Sequence, residues 1–522
     1  MHSVETVLAL VVLATVVAVF ARRLRVPAPS LLVLAGVAAG LIPGVPRVQV
    51  TPDVVGLVVL PPLLYAAGEE LPGRELRAVW RPVAVLAVGL VLASAAAVAV
   101  VVSAVTSLPP SMAFVLGAVL ASTDPVAVTA LGRRLSLPPR VQALVQAESL
   151  FNDATSLVLF RVAVSFATAA YATAGAGGWV GGIWQFVMLG GGGAAVGAVT
   201  AGGVALIRRR VTDPVLETVV ALVTPYAGYV LAEAAGVSGV TSVVVAAVIL
   251  GSNAARLTTA HSRLQLDSVF QTVVFLLESV VFALIGLELP TLIARLPRGE
   301  PAWPAQALAV AATLVAVRVL WVFPVSAVTS RRRGARSWSW QVPAVVSWAG
   351  ARGVVPLAAA LSIPLTTTSG NPVPGRDLVL VLAASVIVIS LVAQGLTLEP
   401  LVRRAGIARP AGAARHEATL ARLRITEAGL AYLEQLAGTG SAPDELIERL
   451  YRGLQARSRV LEDHAGNPDD DGTGAYLRLR RELLTAQRDQ LTRLHADGTI
   501  GDATQRRILQ SLDLEEASLG DR

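Results

Sequence analysis

The sequence predicts an all-α membrane protein with about thirteen transmembrane helices and a small helical domain at its C-terminal end. Three observations carry that expectation. Hydrophobic residues make up 54% of the 522-residue chain and charged residues only 15%, against roughly a quarter charged in ordinary soluble domains. Apolar runs of membrane-crossing length recur from the first residues to about residue 401, and a crossing helix needs about 20 of them. Arginine is concentrated in every second loop between those runs.

The candidate spans fall at approximately 3–21, 27–43, 54–69, 82–105, 110–131, 141–172, 182–207, 215–235, 238–256, 264–289, 303–327, 340–364 and 377–401. The first lacks a basic leader and a small-residue cleavage site, so it is expected to be retained as a helix. The second, third and ninth are short enough to be tilted little or partly re-entrant. Eighteen arginines, including Arg22, Arg74, Arg133, Arg208, Arg256 and Arg331, occupy the loops after odd-numbered spans, whereas only Arg47, Arg295, Arg298 and Arg376 occupy the opposite loops. Cytoplasmic loops collect basic residues. The N-terminus is therefore expected outside and the C-terminus in the cytoplasm. The same topology explains the net charge of +7 without invoking nucleic acid. With no cysteine in the chain, disulfides, thiolate metal sites and cysteine nucleophiles are excluded.

The expected boundary lies at 402/403, with a membrane domain over 1–402 and a cytoplasmic tail domain over 403–522. In the tail, Leu420, Leu423, Leu430 and Leu433, then Leu446, Ile447, Leu450 and Leu454, then Leu477, Leu479, Leu483, Leu484 and Leu491 keep near-helical spacing. Breakers such as GTGSAPD and GNPDDDGTG separate them. His416, His464 and His495 are scattered there and are expected to be surface residues.

Chemistry is sought where an acid falls inside a span, because such a residue costs about 2.5–3.5 kcal/mol at the bilayer centre on insertion scales. The acids so placed are Asp124, Glu148, Asp153, Glu217, Glu233, Asp267 and Glu278. Glu217, Glu233 and Asp267 lie near span ends, where solvation is cheap. Glu278 is mid-span with no evident partner. Span six carries ESLFNDATSLVLF, in which Ser149, Asn152 and Asp153 share a face and Glu148 lies one turn from Asn152. Two carboxylates, an amide and a hydroxyl form an oxygen-rich set of the kind hard cations prefer. The competing reading, a polar helix–helix contact, rarely needs both carboxylates.

Span five carries LASTDPVAVTAL, where Pro125 removes a backbone donor and disfavours helix at Asp124. Span twelve carries SWAGARGVVPLAAAL, where Gly350, Gly353 and Pro356 weaken the helix around Arg352. Non-helical backbone at this depth requires cover from protein or a water-filled cavity. A guanidinium in hydrocarbon needs an anion, and Glu148 and Asp124 both offer one. Spans five and twelve stand seven apart. An odd offset reverses direction, as expected for matching broken helices in two inverted halves of a transporter, spans 1–6 and 8–13.

The ordered motifs STDPVAV, ESLFNDATSLV, PYAGYVLAEAAGVSGV, VFALIGLEL and SWAGARGVVPLAAAL resemble the sodium/proton exchanger superfamily, in its NhaP-like branch of monovalent cation/proton antiporters. The resemblance covers about residues 1–400. It implies an inverted repeat with two crossed discontinuous helices (an NhaA-like fold), assembled as a homodimer in the plasma (inner) membrane. It makes Asp153 the main ion- and proton-binding carboxylate, with Asp124, Thr123, Ser149 and Asn152 beside it, and places Na⁺, or K⁺ or Li⁺, at Asp153 and Asp124. It pairs Glu148 with Arg352 and gives Arg318 a structural role. One departure is Ala66, which follows LPPLLY where some relatives carry an acid; Glu69 and Glu70 come later.

The implied function is one-for-one, electroneutral exchange of a monovalent cation, Na⁺ foremost, for H⁺. The partners are then the two substrate ions and membrane lipid; no cofactor and no nucleic acid is expected. K⁺/H⁺ or broad-specificity exchange is the runner-up. A gated cation channel is the competing class, although no filter repeat or acidic ring appears. An organic-anion symporter on a similar fold fits poorly with so many buried acids. No metal triad, nucleophile elbow or phosphate loop supports an enzyme.

Overall fold

The computed structural model describes residues 2–24, 28–42, 56–71, 73–124, 137–168, 177–211, 213–296, 302–332, 340–407, 413–439, 443–466, 472–497 and 499–520. Among these the chain is helical, with one isolated β-bridge, Thr366 to Pro372. It divides into two compact units, Met1–Ala408 and Arg409–Arg522.

In the first unit, α1 (His2–Leu24), α2 (Ala28–Gly40) and α3 (Leu60–Glu69) are followed by α4 (Gly73–Ala84), a π-helical turn over Val85–Leu90, α5 (Val91–Val105) and α6 (Pro110–Leu120). Next come α7 (Pro139–Thr168), α8 (Gly177–Arg208), α9 (Pro214–Ala234) and α10 (Gly239–Ser252). The last are α11 (Ala260–Arg295), α12 (Trp303–Arg332), α13 (Gln341–Trp348), α14 (Val354–Leu361) and α15 (Arg376–Ala405). Seven helices among the described residues are long and apolar enough to cross a membrane, and five shorter apolar helices accompany them. The seventh long helix continues to Ala405 before Gly406 ends it at φ +63°, a conformation glycine adopts without a Cβ penalty. The membrane unit therefore closes a few residues beyond 402.

Small residues allow the backbones to approach closely, which is how helices associate where lipid removes the hydrophobic drive between them. Gly36 of α2 and Gly286 of α11 face one another: a Cβ on Gly36 would stand 2.9 Å from the Gly286 Cα. Gly117 of α6 lies against the Ala95 backbone of α5, and Gly197 of α8 against the Ser242 backbone of α10. Apolar side chains also point outward. Val180, Ile183, Val199 and Leu206 of α8, and Leu308 and Leu320 of α12, are exposed, as suits a surface solvated by lipid. Together, the apolar helices of crossing length and these outward apolar faces mark a multi-pass membrane protein.

The second unit holds α16 (Ala413–Thr439), α17 (Asp444–Gly466), α18 (Gly472–Ala496) and α19 (Asp502–Gly520). Among the described residues, Leu433, Ile447, Leu484 and Leu491 are buried, drawn from the periodic apolar positions of the sequence. Arg488 of α18 bridges Asp513 and Glu516 of α19, and His495 contacts Asp502 at 2.6 Å on the surface.

Candidate functional site

Span five is helical only to Leu120. Ala121–Asp124 then leaves the helix. Pro125 lies outside the described residues, so the second half of that span is not described. Span twelve breaks between Trp348 and Val354, at the Gly350–Gly353 stretch that the glycines marked, and Pro356 falls in the first turn of α14, where its missing N–H costs nothing. The end of α6 and the break of span twelve bond to each other. The Asp124 N–H donates to the Ala351 carbonyl at 2.7 Å, and Arg352 Nε donates to the Leu120 carbonyl at 3.1 Å. Gly353 packs so closely on Asp124 that a Cβ there would overlap its carboxylate.

Helix α7 lies against this junction and clamps it through Thr123. Asn152 Nδ2 donates to Thr123 Oγ1 at 2.6 Å, and Asn152 Oδ1 accepts the Thr123 N–H at 3.2 Å. Ser149 Oγ donates to the Thr123 carbonyl. The face shared by Ser149, Asn152 and Asp153 is thus real. Its amide and hydroxyl hold the broken backbone, while Asp153 points elsewhere. Asp153 is 8% exposed, and its Oδ1 has no hydrogen-bond partner.

The expected Glu148–Arg352 pair is not formed. Glu148, fully buried, takes Arg318 of α12 instead, through two parallel bonds of 2.6 and 2.8 Å. Arg318 also donates from Nε and Nη2 to the Val346 carbonyl. The reason lies in the break itself. Interrupting a helix frees carbonyls, and Arg352 uses those of Leu120 and Gly350, while its N–H is taken by Ser390 Oγ at 3.0 Å. Backbone acceptors satisfy Arg352, leaving the carboxylate to an arginine whose fork fits it bidentately. The signal for this pairing was present in the sequence, since Arg318 is a second cation in an apolar run and also demanded an anion.

Asp153, Asp124, Ser149 and Thr123 line a cavity of about 790 Å³. Its other walls include Ala66, Glu69 and Glu70 at the end of α3, Arg263 and Asp267 near the start of α11, and Val354, Val355 and Pro356 of α14. Glu278 of α11 lines the same cavity. Ala66 thus faces the space where a third-helix acid would stand. At its side, buried Arg208 donates to the Tyr65 hydroxyl at 3.2 Å and lies 3.6 Å from Glu69; Tyr65 stacks on Phe270 with ring centroids 5.4 Å apart. Of the span-end acids, Glu233 pairs with Arg161, Asp267 accepts from Gln271 at 3.0 Å, and Glu217 is buried. The donor set facing the cavity is all oxygen, in keeping with a hard cation rather than a soft metal.

Residues 8–404 match the family described as sodium/hydrogen exchanger, transmembrane. A Mycobacterium tuberculosis (strain ATCC 25618 / H37Rv) protein named "Uncharacterized Na(+)/H(+) exchanger Rv2287" is 35% identical over 99% of this chain and 96% of its own length. The Na(+)/H(+) antiporter ApNhaP of Aphanothece halophytica is 29% identical over 91% of this chain and 87% of its own. A sodium, potassium, lithium and rubidium/H(+) antiporter of Bacillus pumilus is 30% identical over 70% of this chain and 56% of its own. Among solved structures, the sodium proton antiporter MjNhaP1 of Methanocaldococcus jannaschii superposes with a TM-score of 0.61 at 19% identity, covering 78% of this chain and all of that one. It bears on the fold alone.

Proposed function

This chain belongs to the sodium/hydrogen exchanger family, a family of transporters rather than enzymes, and from that premise we propose that it exchanges a monovalent cation, Na⁺ foremost, for H⁺ at Asp153. The observation that carries the reading is a single one. Asp153 is buried beside the end of α6 and the start of α14, keeps an unpartnered carboxylate oxygen, and lines the cavity that Asp124 shares. A carboxylate that holds a proton or a cation, never both, couples the two by competition. Neutralised by either ion, it crosses a low-dielectric barrier at far less cost than as a bare anion. Because Glu148 is already compensated by Arg318, one proton against one cation at Asp153 gives an electroneutral cycle. Asp124, Ser149, Thr123 and Asn152 serve this site, Asn152 by fixing the backbone it borders.

The membrane unit is read as thirteen crossings in two inverted halves, with its N-terminus outside and the tail unit in the cytoplasm of a cell whose plasma membrane it occupies. The arginine-rich loops support that orientation. So placed, the cavity end at Glu69, Glu70 and Arg263 is cytoplasmic, and the protein stands open inward. Bare apolar faces on α8 and α12 suit lipid and a second copy of the chain. Such an exchanger would serve pH homeostasis.

The test is purified protein in proteoliposomes with an internal pH dye, adding Na⁺, K⁺ and Li⁺ in turn at clamped zero potential. Dye movement on cation addition is expected, and Asp153→Asn abolishes it. Cation flux without proton counterflow would favour a channel. Response to K⁺ equal to that for Na⁺ would favour the broad specificity carried by the Bacillus pumilus relative's name.

A further inference from the structure

The break of span twelve is held from α15 through a single peptide bond. Ala351 and Arg352 share that bond, and both of its polar ends are engaged. Its carbonyl accepts the Asp124 N–H at 2.7 Å, and its N–H donates to Ser390 Oγ of α15 at 3.0 Å. Ser390 in turn donates to Gln394 Oε1 at 2.7 Å, one turn further along α15. Both side chains are buried. A carbonyl oxygen can only accept, so Gln394 commits the one hydroxyl proton of Ser390 and leaves its lone pairs for the Arg352 N–H. A hydroxyl on a helix can satisfy itself by bonding back to the carbonyl four residues earlier, as Thr313 and Thr329 do on α12 and Thr397 does on α15. Ser390 gives its proton to a side chain instead.

The peptide needs an outside hold. Gly350 and Gly353 stand immediately on either side of it, and glycine offers little resistance to backbone rotation. Rotating the Ala351–Arg352 plane would turn its carbonyl away from the Asp124 N–H. Gly353 also packs directly on the Asp124 carboxylate, so the plane and the carboxylate shift together. We propose that Ser390 and Gln394 are positioning residues for the cation site: by fixing the Ala351–Arg352 peptide plane they hold Asp124 in place in the cavity it shares with Asp153. This deepens the exchanger reading above and rests on it. Groups that orient a ligand without touching the ion set how precisely the ion is held. Loosening the plane therefore lowers cation affinity, while competition at Asp153, and with it the coupling, is kept.

The experiment takes two readouts on the full chain: Na⁺-driven proton exchange in proteoliposomes, and the rise in melting temperature on adding Na⁺ in detergent, with choline chloride as the ionic-strength control. Ser390→Ala is expected to raise the apparent KM for Na⁺ about three- to tenfold, the range that one lost hydrogen bond spans, with maximal rate within about twofold. The Na⁺ concentration giving half of the melting increment should rise to the same extent. Ser390→Thr, which keeps the hydroxyl, should return both values toward wild type. Gln394→Met, which keeps the volume and removes the acceptor, should move both in the same direction by less, and carries the comparison if Ser390→Ala does not accumulate. A role in packing alone would lower the melting temperature without Na⁺ and leave KM and the half-point where they were; that result overturns the proposal. So does a KM defect that Ser390→Thr leaves untouched. Wild-type protein that moves no protons would instead sink the exchanger reading, and the melting half-points would still report whether Ser390 supports cation binding.

Discussion

Glu148 and Arg318 stand 170 residues apart in the chain and meet with both side chains almost fully buried. Neither charge has water to fall back on, so each is stable only with the other. Removing one partner of such a pair costs about 3–5 kcal/mol, because the survivor is left buried and uncompensated. Glu148→Gln should therefore lower membrane accumulation and detergent melting temperature sharply. Asp153→Asn should do neither, since Asp153 supports no partner through its Oδ1; the check is a thermal-shift measurement on both variants beside exchange rates. Gly353 separates the two effects further. A methyl group there would displace the Asp124 carboxylate, so Gly353→Ala is expected to weaken cation affinity while the protein still folds. A cation titration in proteoliposomes, paired with the melting curve, reads both.

At the level of elements, the close passage of α2 over α11 depends on Gly36 and Gly286. Overpacking a tight contact costs about 1–3 kcal/mol, and backbone lies on both sides here, so little can yield. Gly36→Val should lower the melting temperature clearly, and a change of similar size on the exposed Val199 of α8 should leave it nearly unchanged. The broken span twelve was legible because Gly350, Gly353 and Pro356 each weaken a helix by a local mechanism. The π-helical turn at Val85–Leu90 was not. It follows Pro82 inside α4, yet a proline alone does not say which way the next turn will give. Gly89 there lies against Trp321 of α12, its would-be Cβ 2.6 Å from the ring, a contact no local rule announces.

For the whole molecule, competition at one carboxylate has a kinetic signature. On the side where the cation binds, apparent KM should rise as pH falls, approaching tenfold per pH unit once the proton holds most of the site. A KM indifferent to pH would mean separate sites for the two ions. Electroneutrality is checked by clamping the membrane potential at several values, where the exchange rate should stay constant.

The sequence by itself determined the membrane class, the alternation of arginine-rich loops, the place of one helix break and the residues of α7 that crowd together. Each of these rests on composition or on neighbours within four residues, where geometry is set by the helix. Only the tertiary structure decided that Glu148 takes Arg318, that freed carbonyls satisfy Arg352, and that Glu278 shares a cavity with Asp153. Those outcomes depend on which helices lie side by side, and partners far apart in the chain are chosen by packing, not by spacing.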